Sequence, residues 1–312
     1  MRGAADVWSP ADIPNQVGRT MVVTGTTVGG LGHATALELA RHGARVVLAG
    51  RTQQRLDQTE KAIRDETADA ELETLVVDLA DQGSVRRAAD RAAALGPIDV
   101  LVNNAGVMGT ALHRTVDGIE LQMATNHFGP FLLTGLLLPQ LVASKAARVV
   151  AVSSLMHRFA RRAPLDDPRH PGGPYSRWPV YGQSKLANLL FTYELDRRAR
   201  RAELPVKALA AHPGFSGTHL AANGRFGRSS GGLASILDAA VRAMAQPPRM
   251  GAWPTLMAAT ADLPGSTYCG PSGPGELRGA PVVVGSARAA HDEAAQRQLW
   301  EISEHATGIR YL

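Results

Sequence analysis

Short apolar runs, many of them rich in β-branched residues, alternate with longer stretches of Ala, Leu, Glu and Arg from residue 19 onward. The short runs predict strands buried on both faces, and the longer stretches predict helices. Because alternating strands and helices form right-handed βαβ units, the pattern predicts an α/β fold with a doubly wound parallel sheet. The predicted strands are residues 20–24, 45–49, 75–77, 100–102, 148–152, 206–210 and 282–284, and the predicted helices are residues 33–42, 51–66, 84–94, 118–143, 181–201 and 230–244.

Two segments break this alternation. The first, near residues 155–180, is rich in Arg, Pro and His, and the second, near residues 215–250, begins with a stretch rich in Gly, Ser, Asn and Phe. Long irregular segments inside a compact domain often carry function. We therefore predict a single domain over residues 19–312 with two substrate-loop insertions, preceded by an N-terminal lead-in at residues 1–18.

The chain is basic, with a net charge of +5 and a pI of about 9.7. This balance suits nucleic acid or an anionic membrane surface, but it also suits a polyanionic cofactor. The arginines are spread along predicted helices, as at residues 197–201, and no segment interleaves basic with aromatic residues as a surface for nucleic-acid strands requires. We interpret them as solvated helix faces and expect no nucleic-acid partner.

The only cysteine is Cys269, so no intrachain disulfide can form and a reducing compartment fits. The first residues lack the apolar core of a signal peptide. The most apolar run, residues 131–138, ends at Pro139 and is too short to span a bilayer. The ten histidines show no metal-binding spacing. We expect a cytoplasmic protein without a membrane span or a metal.

A glycine-rich loop, Thr-Gly-Thr-Thr-Val-Gly-Gly-Leu-Gly at residues 24–32, follows the first predicted strand and leads into a helix. Glycines in such a loop let the backbone approach a pyrophosphate, and the helix N-terminus offers free N–H groups. Turns also need glycine, so the loop alone is a weak indication. Its position between strand and helix favours a dinucleotide site.

Arg51 follows the second predicted strand, 19 positions after Gly32, where a dinucleotide site places the side chain that contacts the adenosine ribose. A carboxylate there would bind the ribose hydroxyls of NAD and repel a 2′-phosphate, whereas arginine offers a planar fork to that phosphate. The alternative is a surface arginine at a helix start. We predict a preference for NADP(H) and leave NAD(H) open.

Polar residues also follow the third and fourth predicted strands, as Asp-Leu and as Asn-Asn-Ala-Gly. The carboxyl ends of parallel strands form the ligand-binding edge of an open α/β sheet. The same residue types are also ordinary in turns. We assign this part of the cofactor site to Asp78, Leu79, Asn104, Ala105 and Gly106.

The most specific motif is Tyr181-Gly-Gln-Ser-Lys185 at the predicted start of a long helix. Residues four apart share a helix face, and an ammonium beside a phenol favours the phenolate. Tyr181 is thus expected to exchange a proton near neutral pH rather than near its ordinary pKa of about 10. A packed tyrosine with an exposed lysine is the ordinary interpretation of such a pair in isolation. Here the pair follows a strand that ends in Ser153 and Ser154, where a serine hydroxyl can bind a substrate oxygen.

In this order the motifs resemble the short-chain dehydrogenase/reductase family over residues 17–312. The style is that of the branch containing retinol dehydrogenases, the WW-domain oxidoreductase and protochlorophyllide reductases. The resemblance implies a Rossmann-type, three-layer αβα fold and an NADP(H)-dependent oxidoreductase that interconverts a carbonyl and an alcohol by hydride transfer. Two features depart from the common family pattern. The glycine loop has one extra residue, and Ser154 and Tyr181 are 27 positions apart, a gap typical of this branch.

The resemblance also implies a proton relay of four residues. Asn126 matches the helix asparagine that holds a relay water, and Ser154, the second serine of the pair, matches the residue that orients the substrate. Tyr181 matches the general acid and base. Lys185 matches the lysine that lowers the tyrosine pKa and holds the nicotinamide ribose. The segment implied to lie against the nicotinamide and phosphates consists of Pro213, Gly214 and Thr218.

The extra loop residue allows two registers. If the second glycine of the motif is Gly29, the third position falls on Leu31. If it is Gly30, the third glycine is Gly32, and the segment between Gly25 and Gly30 forms a widened turn. The helix pattern continues without a gap when counted from Gly32, so we predict the second register. Gly25, Gly30, Leu31 and Gly32 are then the cofactor-binding residues of the loop.

A cofactor-sensing protein without turnover is the competing hypothesis, because a fold alone does not decide function. The four relay residues together favour an enzyme. A sugar-nucleotide epimerase fits less well, because Val28 takes the place of a glycine in its Thr-Gly-x-x-Gly-x-x-Gly loop.

We further expect an apolar carbonyl or alcohol as the small-molecule substrate. We also expect a homo-oligomer that packs through the helices starting near Gly118 and at Tyr181. Several apolar side chains in the two irregular segments are equally compatible with a substrate pocket and with the core: Met156, Phe159, Phe215, Leu220 and Phe226.

Overall fold

A computed structural model describes residues 7–160, 174–215 and 246–312. The strands are β1 (Thr20–Thr24), β2 (Arg45–Gly50), β3 (Leu72–Val76), β4 (Val100–Asn103), β5 (Ala147–Val152), β6 (Val206–Ala211), β7 (Tyr268–Pro271) and β8 (Pro281–Val283). They form one sheet in the order β3-β2-β1-β4-β5-β6-β7-β8, in which β1 to β7 are parallel and β8 is antiparallel to β7.

Helices cover both faces of this sheet, so that side chains alternate between two cores. In β1, Val22 packs into one core, while Met21 and Val23 pack into the other. The helices are α1 (Leu31–Arg41), α2 (Gln53–Glu66), α3 (Gln82–Ala92), α4 (Leu121–Met123), α5 (Gly129–Leu136), α6 (Leu138–Ala143), α7 (Arg177–Arg201), α8 (Pro248–Thr260) and α9 (Glu293–Thr307). The predicted doubly wound α/β fold is confirmed.

The burial and the direction predicted for the last strand are wrong. Residues 282–284 were expected to be buried and parallel, but β8 is an antiparallel edge strand in which Val282 and Val283 are 39% and 58% exposed. The sequence analysis also missed β7, because its Tyr-Cys-Gly-Pro sequence contains two residues that are depleted in strands. An apolar run indicates a strand, but it does not show which neighbour the strand pairs with.

The predicted helix at residues 118–143 is in fact a broken series. It begins at Leu121, passes through a π-helical turn at Ala124–Phe128, and continues as α5 and α6, each with a proline in its first turn. Helix α7 begins at Arg177, so Tyr181 lies one turn inside it. Helices α8 and α9 were not identified from the sequence, and the helix predicted at residues 230–244 lies outside the described residues.

The described part of the lead-in packs against the body of the protein. Ile13 and Gln16 are 5% and 0% exposed, and the Gln16 N–H donates to the His42 carbonyl at 2.8 Å. Ile13 belongs to the same core as α1 and α8. The division into a lead-in and a single domain stays a prediction.

Helix α9 and the C-terminal tail cover the outer sides of α5 and α7. Trp300 stacks on Phe191 with ring centroids 5.9 Å apart, and the Tyr311 hydroxyl donates to the Phe131 carbonyl at 3.1 Å. Every residue of α7 from 184 to 196 is buried within one chain. The helices expected to pack against a second subunit are therefore covered by the protein itself. A homo-oligomer stays a prediction. The buried faces of α5 and α7 do not provide a surface for it.

Replacing Trp300 with Ala should lower the free energy of unfolding by about 3–5 kcal/mol, because it removes a buried aromatic and leaves a cavity against Phe131 and Tyr311. Denaturant unfolding followed by circular dichroism measures this change. Arg297→Ala, at an exposed position of the same helix, is the control and should change it by less than about 0.5 kcal/mol. Equal effects of the two variants would contradict the assigned packing.

Candidate active site

The glycine-rich loop turns the chain from β1 into α1. Gly25 and Gly29 have φ angles of 74° and 79°, a left-handed conformation that glycine adopts without strain. Gly30 is the residue that precedes the first turn of α1, and its N–H donates to the Thr27 carbonyl at 3.0 Å. The first N–H groups of α1 lack helical partners, so this edge of the sheet offers donors suited to a phosphate.

Two glycines allow the loop, α1 and the end of β4 to come into close contact. A Cβ atom on Gly32 would lie 2.5 Å from Asn104 Nδ2 and closer still to the Gly25 carbonyl oxygen. One on Gly25 would lie 2.8 Å from the Ala105 Cα. The structure thus places Gly30 and Gly32 at the helix start, in the register predicted for them. Their role in binding a cofactor stays a prediction.

The extra loop residue is accommodated in a turn tied to α2. The Thr59 hydroxyl, which is fully buried, donates to the Thr26 carbonyl at 2.9 Å. Thr26 is itself buried, whereas residues 27–29 are exposed. The turn is therefore anchored at its base and projects its tip into solvent.

Arg51 and Asp78 follow β2 and β3; β2 lies beside β1 in the sheet, and β3 lies beside β2. Arg51 is exposed and forms no ion pair with any described residue, so its guanidinium is available to an anion. One carboxylate oxygen of Asp78 accepts the Ala80 N–H at 2.9 Å. Leu79 is buried. The glycine loop, Arg51 and Asp78 thus occupy neighbouring strand ends along one edge.

Asn104 and Ala105 are fixed by a threonine that the sequence analysis did not select. The backbone N–H groups of both residues donate to Thr24 Oγ1 at 3.0 Å, and Asn104 Nδ2 donates to the Thr24 carbonyl at 2.7 Å. The end of β4 is thereby bound to the start of the glycine loop. Gly106, the next residue of the predicted site, lies beside Lys185: a Cβ atom there would be 3.5 Å from Nζ.

Helix α7 and the end of β5 bring the predicted catalytic residues together. Lys185 Nζ donates to the Val152 carbonyl at 3.0 Å, and Ser153 Oγ donates to the Lys185 carbonyl at 2.8 Å. Ser154 lies close enough to the Tyr181 hydroxyl to oppose the rise in the pKa of that phenol. Lys185 Nζ lies 5.8 Å from the centroid of the Tyr181 ring. Ser154, Tyr181 and Lys185 therefore form one cluster, and Ser153 serves to hold the helix against the strand.

The pKa of Tyr181 shifts in the direction opposite to the sequence-based expectation. Burial raises the pKa of Tyr181 to about 12, and the hydrogen bond from Ser154 opposes this only in part. Burial also lowers the pKa of Lys185 to about 8. The expected stabilisation of the phenolate by lysine is outweighed because the ammonium group donates to Val152 instead of to the phenol.

Asn126 lies in the π-helical turn Ala124–Phe128 and is 1% exposed. Its Oδ1 accepts the Val107 N–H at 2.8 Å, and its Nδ2 donates to the Val107 carbonyl and to Ser184 Oγ, both at 2.9 Å. Ser184 Oγ in turn donates to the Tyr181 carbonyl at 2.8 Å. The asparagine side chain therefore ties the loop after β4 to α7. π-helical turns are frequent at functional sites.

Comparison with known proteins identifies the family. The short chain dehydrogenase family model matches residues 19–163. Human retinol dehydrogenase 13 is 36% identical over 311 residues, covering 96% of this chain and 87% of its own. The chain belongs to the short-chain dehydrogenase/reductase family. Mouse polyprenol dehydrogenase is also 36% identical, with the same coverage of both chains.

Among solved structures, an uncharacterized protein from Mycobacterium paratuberculosis is 41% identical and superposes with a TM-score of 0.80, covering 98% of this chain and 99% of its own. The resemblance to the retinol dehydrogenase-like branch is thus confirmed. As a member of this family, the protein is an oxidoreductase that acts on CH–OH donors and uses a nicotinamide dinucleotide.

The segment predicted to lie against the nicotinamide and phosphates is partly described. Gly214 has a φ angle of 65°, and a Cβ atom there would meet the Leu277 carbonyl oxygen at 2.5 Å. The Pro213 carbonyl accepts a hydrogen bond from Gln246 Nε2 at 2.6 Å. Thr218 lies outside the described residues, as do Leu220 and Phe226.

Trp178 is a further residue of the site that sequence reasoning missed. Its ring covers Gly109, where a Cβ atom would lie 3.2 Å from the indole, and it meets the Tyr181 ring edge to face with centroids 6.5 Å apart. The available signal was an aromatic residue one helical turn before Tyr181. Trp178 therefore forms a wall beside the Tyr181 phenol.

The structure was searched for a metal site and for a membrane-spanning helix in the described ranges. Within residues 7–160, 174–215 and 246–312, no cluster of three or more metal-ligating side chains occurs. No helix in the same ranges is long and apolar enough to cross a membrane.

Gly32→Ala should weaken dinucleotide binding at least tenfold, because the new methyl group overlaps the Gly25 carbonyl and forces the loop away from α1. Fluorescence titration with NADPH measures the dissociation constant. Gly285→Ala is the control, since a Cβ atom there has no neighbour within 4 Å and its φ angle is not positive. Unchanged affinity in Gly32→Ala would mean that the loop does not approach the cofactor.

Proposed function

We propose that this short-chain dehydrogenase/reductase is an NADP(H)-dependent enzyme that interconverts an apolar carbonyl compound and its alcohol through Asn126, Ser154, Tyr181 and Lys185. The observation that carries the proposal is the single cluster formed by Ser154, Tyr181 and Lys185 at the carboxyl edge of the sheet. Steady-state assays of NADPH with aldehydes, ketones and quinones, and of NADP with alcohols, test it. Absence of turnover with tight dinucleotide binding would favour the sensor hypothesis instead.

The residues of the edge fit a dinucleotide. The contacts of Gly25 and Gly32 leave room for backbone but for no side chain, and the start of α1 supplies unpaired N–H donors. Gly106 brings the backbone after β4 close to the Lys185 ammonium, since a Cβ atom there would lie 3.5 Å from Nζ and 2.9 Å from Asn126 Oδ1. These features support binding of the pyrophosphate at the loop and of the nicotinamide ribose near Lys185. When bound, the nicotinamide supplies or accepts the hydride.

Tyr181 is suited to act as the acid in carbonyl reduction. A phenol with a pKa of about 12 is protonated at neutral pH, and it gives its proton readily to an alkoxide, which is a stronger base than a phenolate. Ser154 would donate its single hydroxyl proton to the same substrate oxygen, beside the proton that Tyr181 transfers. Lys185 adds positive charge near the developing oxyanion.

The NADP(H) preference rests on Arg51. Its guanidinium is exposed at the end of β2, next to the glycine loop, and no described carboxylate pairs with it. A 2′-phosphate would supply the missing anion and accept a bidentate pair of hydrogen bonds.

An apolar substrate is supported by the aromatic wall at Trp178 and by exposed apolar side chains near the site. Phe159 and Phe215 are 78% and 40% exposed, and Met156 is half-buried in the turn after Ser154. The names of two relatives point in the same direction, since retinol and polyprenol are apolar alcohols. A cytoplasmic location stays a prediction from the sequence.

Tyr181→Phe should lower kcat by at least a thousandfold and leave the NADPH dissociation constant within about twofold, because only the transferable proton is lost. Lys185→Ala should impair both turnover and binding. Single-wavelength assays and fluorescence titration give the two quantities. Substantial turnover by Tyr181→Phe would mean that another group is the acid.

Arg51→Asp should weaken NADPH binding by a hundredfold or more while changing NADH binding by less than about tenfold, because it replaces the phosphate-binding cation with a repelling anion. Lys61→Asp is the control, since Lys61 is exposed farther along α2 and its reversal makes the same change in net charge. Comparable affinities of the unmodified protein for NADPH and NADH would refute the preference.

A further inference from the structure

His157 lies three residues after Ser154 and is completely buried. It belongs to the 3-10 helical turn Leu155–Phe159, which Ser154 begins. Its Nδ1 is 2.7 Å from the Ser154 carbonyl oxygen, and its Nε2 is 3.1 Å from the Ala287 nitrogen. The imidazole therefore connects the backbone of the catalytic serine to the segment before α9.

The two partners of His157 determine its protonation. A carbonyl oxygen can only accept, so Nδ1 carries the proton, and a backbone N–H can only donate, so Nε2 is bare. Burial and the neighbouring Arg158 lower the pKa of His157, which agrees with a neutral ring. Because Nδ1 faces the carbonyl of Ser154 and not its hydroxyl, His157 exchanges no proton with the reacting atoms.

The same turn is held from two further sides. Arg158 Nη2 donates to Glu276 Oε1 at 2.6 Å and to the Gly285 carbonyl at 3.2 Å. Gly182 of α7 contacts the Met156 carbonyl oxygen, which would lie 2.8 Å from a Cβ atom on the glycine. His157 and Arg158 thus fasten the turn to residues 276–287, and α7 closes its other side.

Among the described residues, no carboxylate is bonded to His157. Its ring meets Tyr268 edge to face, with centroids 5.6 Å apart. Glu276 is hydrogen-bonded to Arg158 and to His212 Nε2. In the described part of the chain, packing and two backbone groups hold the imidazole.

We propose that His157 is a positioning residue for the reaction: by bonding the Ser154 carbonyl and the Ala287 N–H, it holds Ser154 so that its hydroxyl faces Tyr181. Ser154 has an extended backbone, with φ and ψ of −157° and 156°, and its Oγ also accepts the Met156 N–H at 3.3 Å. Rotation of this residue would carry Oγ away from the phenol. The inference rests on the proposed function, since it assigns His157 to the same carbonyl-reducing site.

Three substitutions separate the two bonds of His157. Asn can place its Nδ2–H where the Nδ1–H of His157 lies and so keep the bond to Ser154. Gln can reach Ala287 with its Oε1 but loses the bond to Ser154, and Phe loses both while keeping an aromatic ring against Tyr268. We expect His157→Phe and His157→Gln to lower kcat about tenfold to a hundredfold, and His157→Asn to retain most of it, with NADPH affinity unchanged in all three.

A double substitution tests whether His157 acts through Ser154. In the Ser154→Ala background, His157→Phe should cause no further fall in kcat, because the hydroxyl that it positions is gone. Equal falls in both backgrounds, or a Gln variant more active than the Asn variant, would overturn the inference.

The control for loss of a histidine is His42→Phe. His42 Nδ1 also bonds a backbone carbonyl, that of Glu38 at 2.7 Å, but it lies at the end of α1 and outside the catalytic cluster. Thermal unfolding of every variant shows whether it is folded. If His157→Phe does not fold, the Asn and Gln variants still decide the question. An unmodified protein without turnover would overturn the proposed function together with this inference, whereas an active one with additive effects overturns this inference alone.

Discussion

The carbonyl oxygen of Val152, the last residue of β5, accepts hydrogen bonds from Lys185 Nζ at 3.0 Å and from Asn188 Nδ2 at 3.1 Å. The Ser153 hydroxyl returns a bond to the Lys185 carbonyl. These three bonds join a strand end to one turn of α7. Because Ser154 follows on the strand and Tyr181 precedes on the helix, the junction sets the distance between the two hydroxyls. The cluster is thus a consequence of how one helix is bound to one strand.

The same junction buries an ammonium group without an anion. Lys185 is 5% exposed, and the only bond that the described residues give its three N–H donors is the one to Val152. Burial of an incompletely bonded cation is costly, which is why the pKa of Lys185 falls to about 8. The two other N–H donors of the ammonium have no partner among the described residues. A purely structural role would not require a buried ammonium group with a single hydrogen bond. The environment of Lys185 therefore favours the hypothesis that this group binds a ligand hydroxyl.

The sequence predicted the parts of the site that depend on local order along the chain. The glycine loop, Arg51 and the Tyr-Lys pair could be assigned because each directly follows or begins a regular element. His157 and Trp178 could not, because their roles depend on Ala287 and Gly109, which the fold brings near from remote positions. The pKa of Tyr181 was expected in the wrong direction for a related reason: spacing shows which charges are near but not how deeply the phenol is buried. Strand β7 and helix α9 were missed because the sequence shows only composition. Both elements are recognised by what they pack against in the structure.

The wide spacing of Ser154 and Tyr181 is compatible with this site because the chain is fastened on both sides of the intervening segment. On the serine side, His157 and Arg158 bind the turn to residues 276–287. On the tyrosine side, the Tyr175 hydroxyl donates to Glu120 at 2.8 Å and accepts from Gln122 Nε2 at 2.8 Å, just before α7 begins. The entropy of closing a loop grows only slowly with its length, by about 0.6 kcal/mol for each doubling. The segment between these anchors can therefore be long without moving the Ser154 and Tyr181 hydroxyls apart.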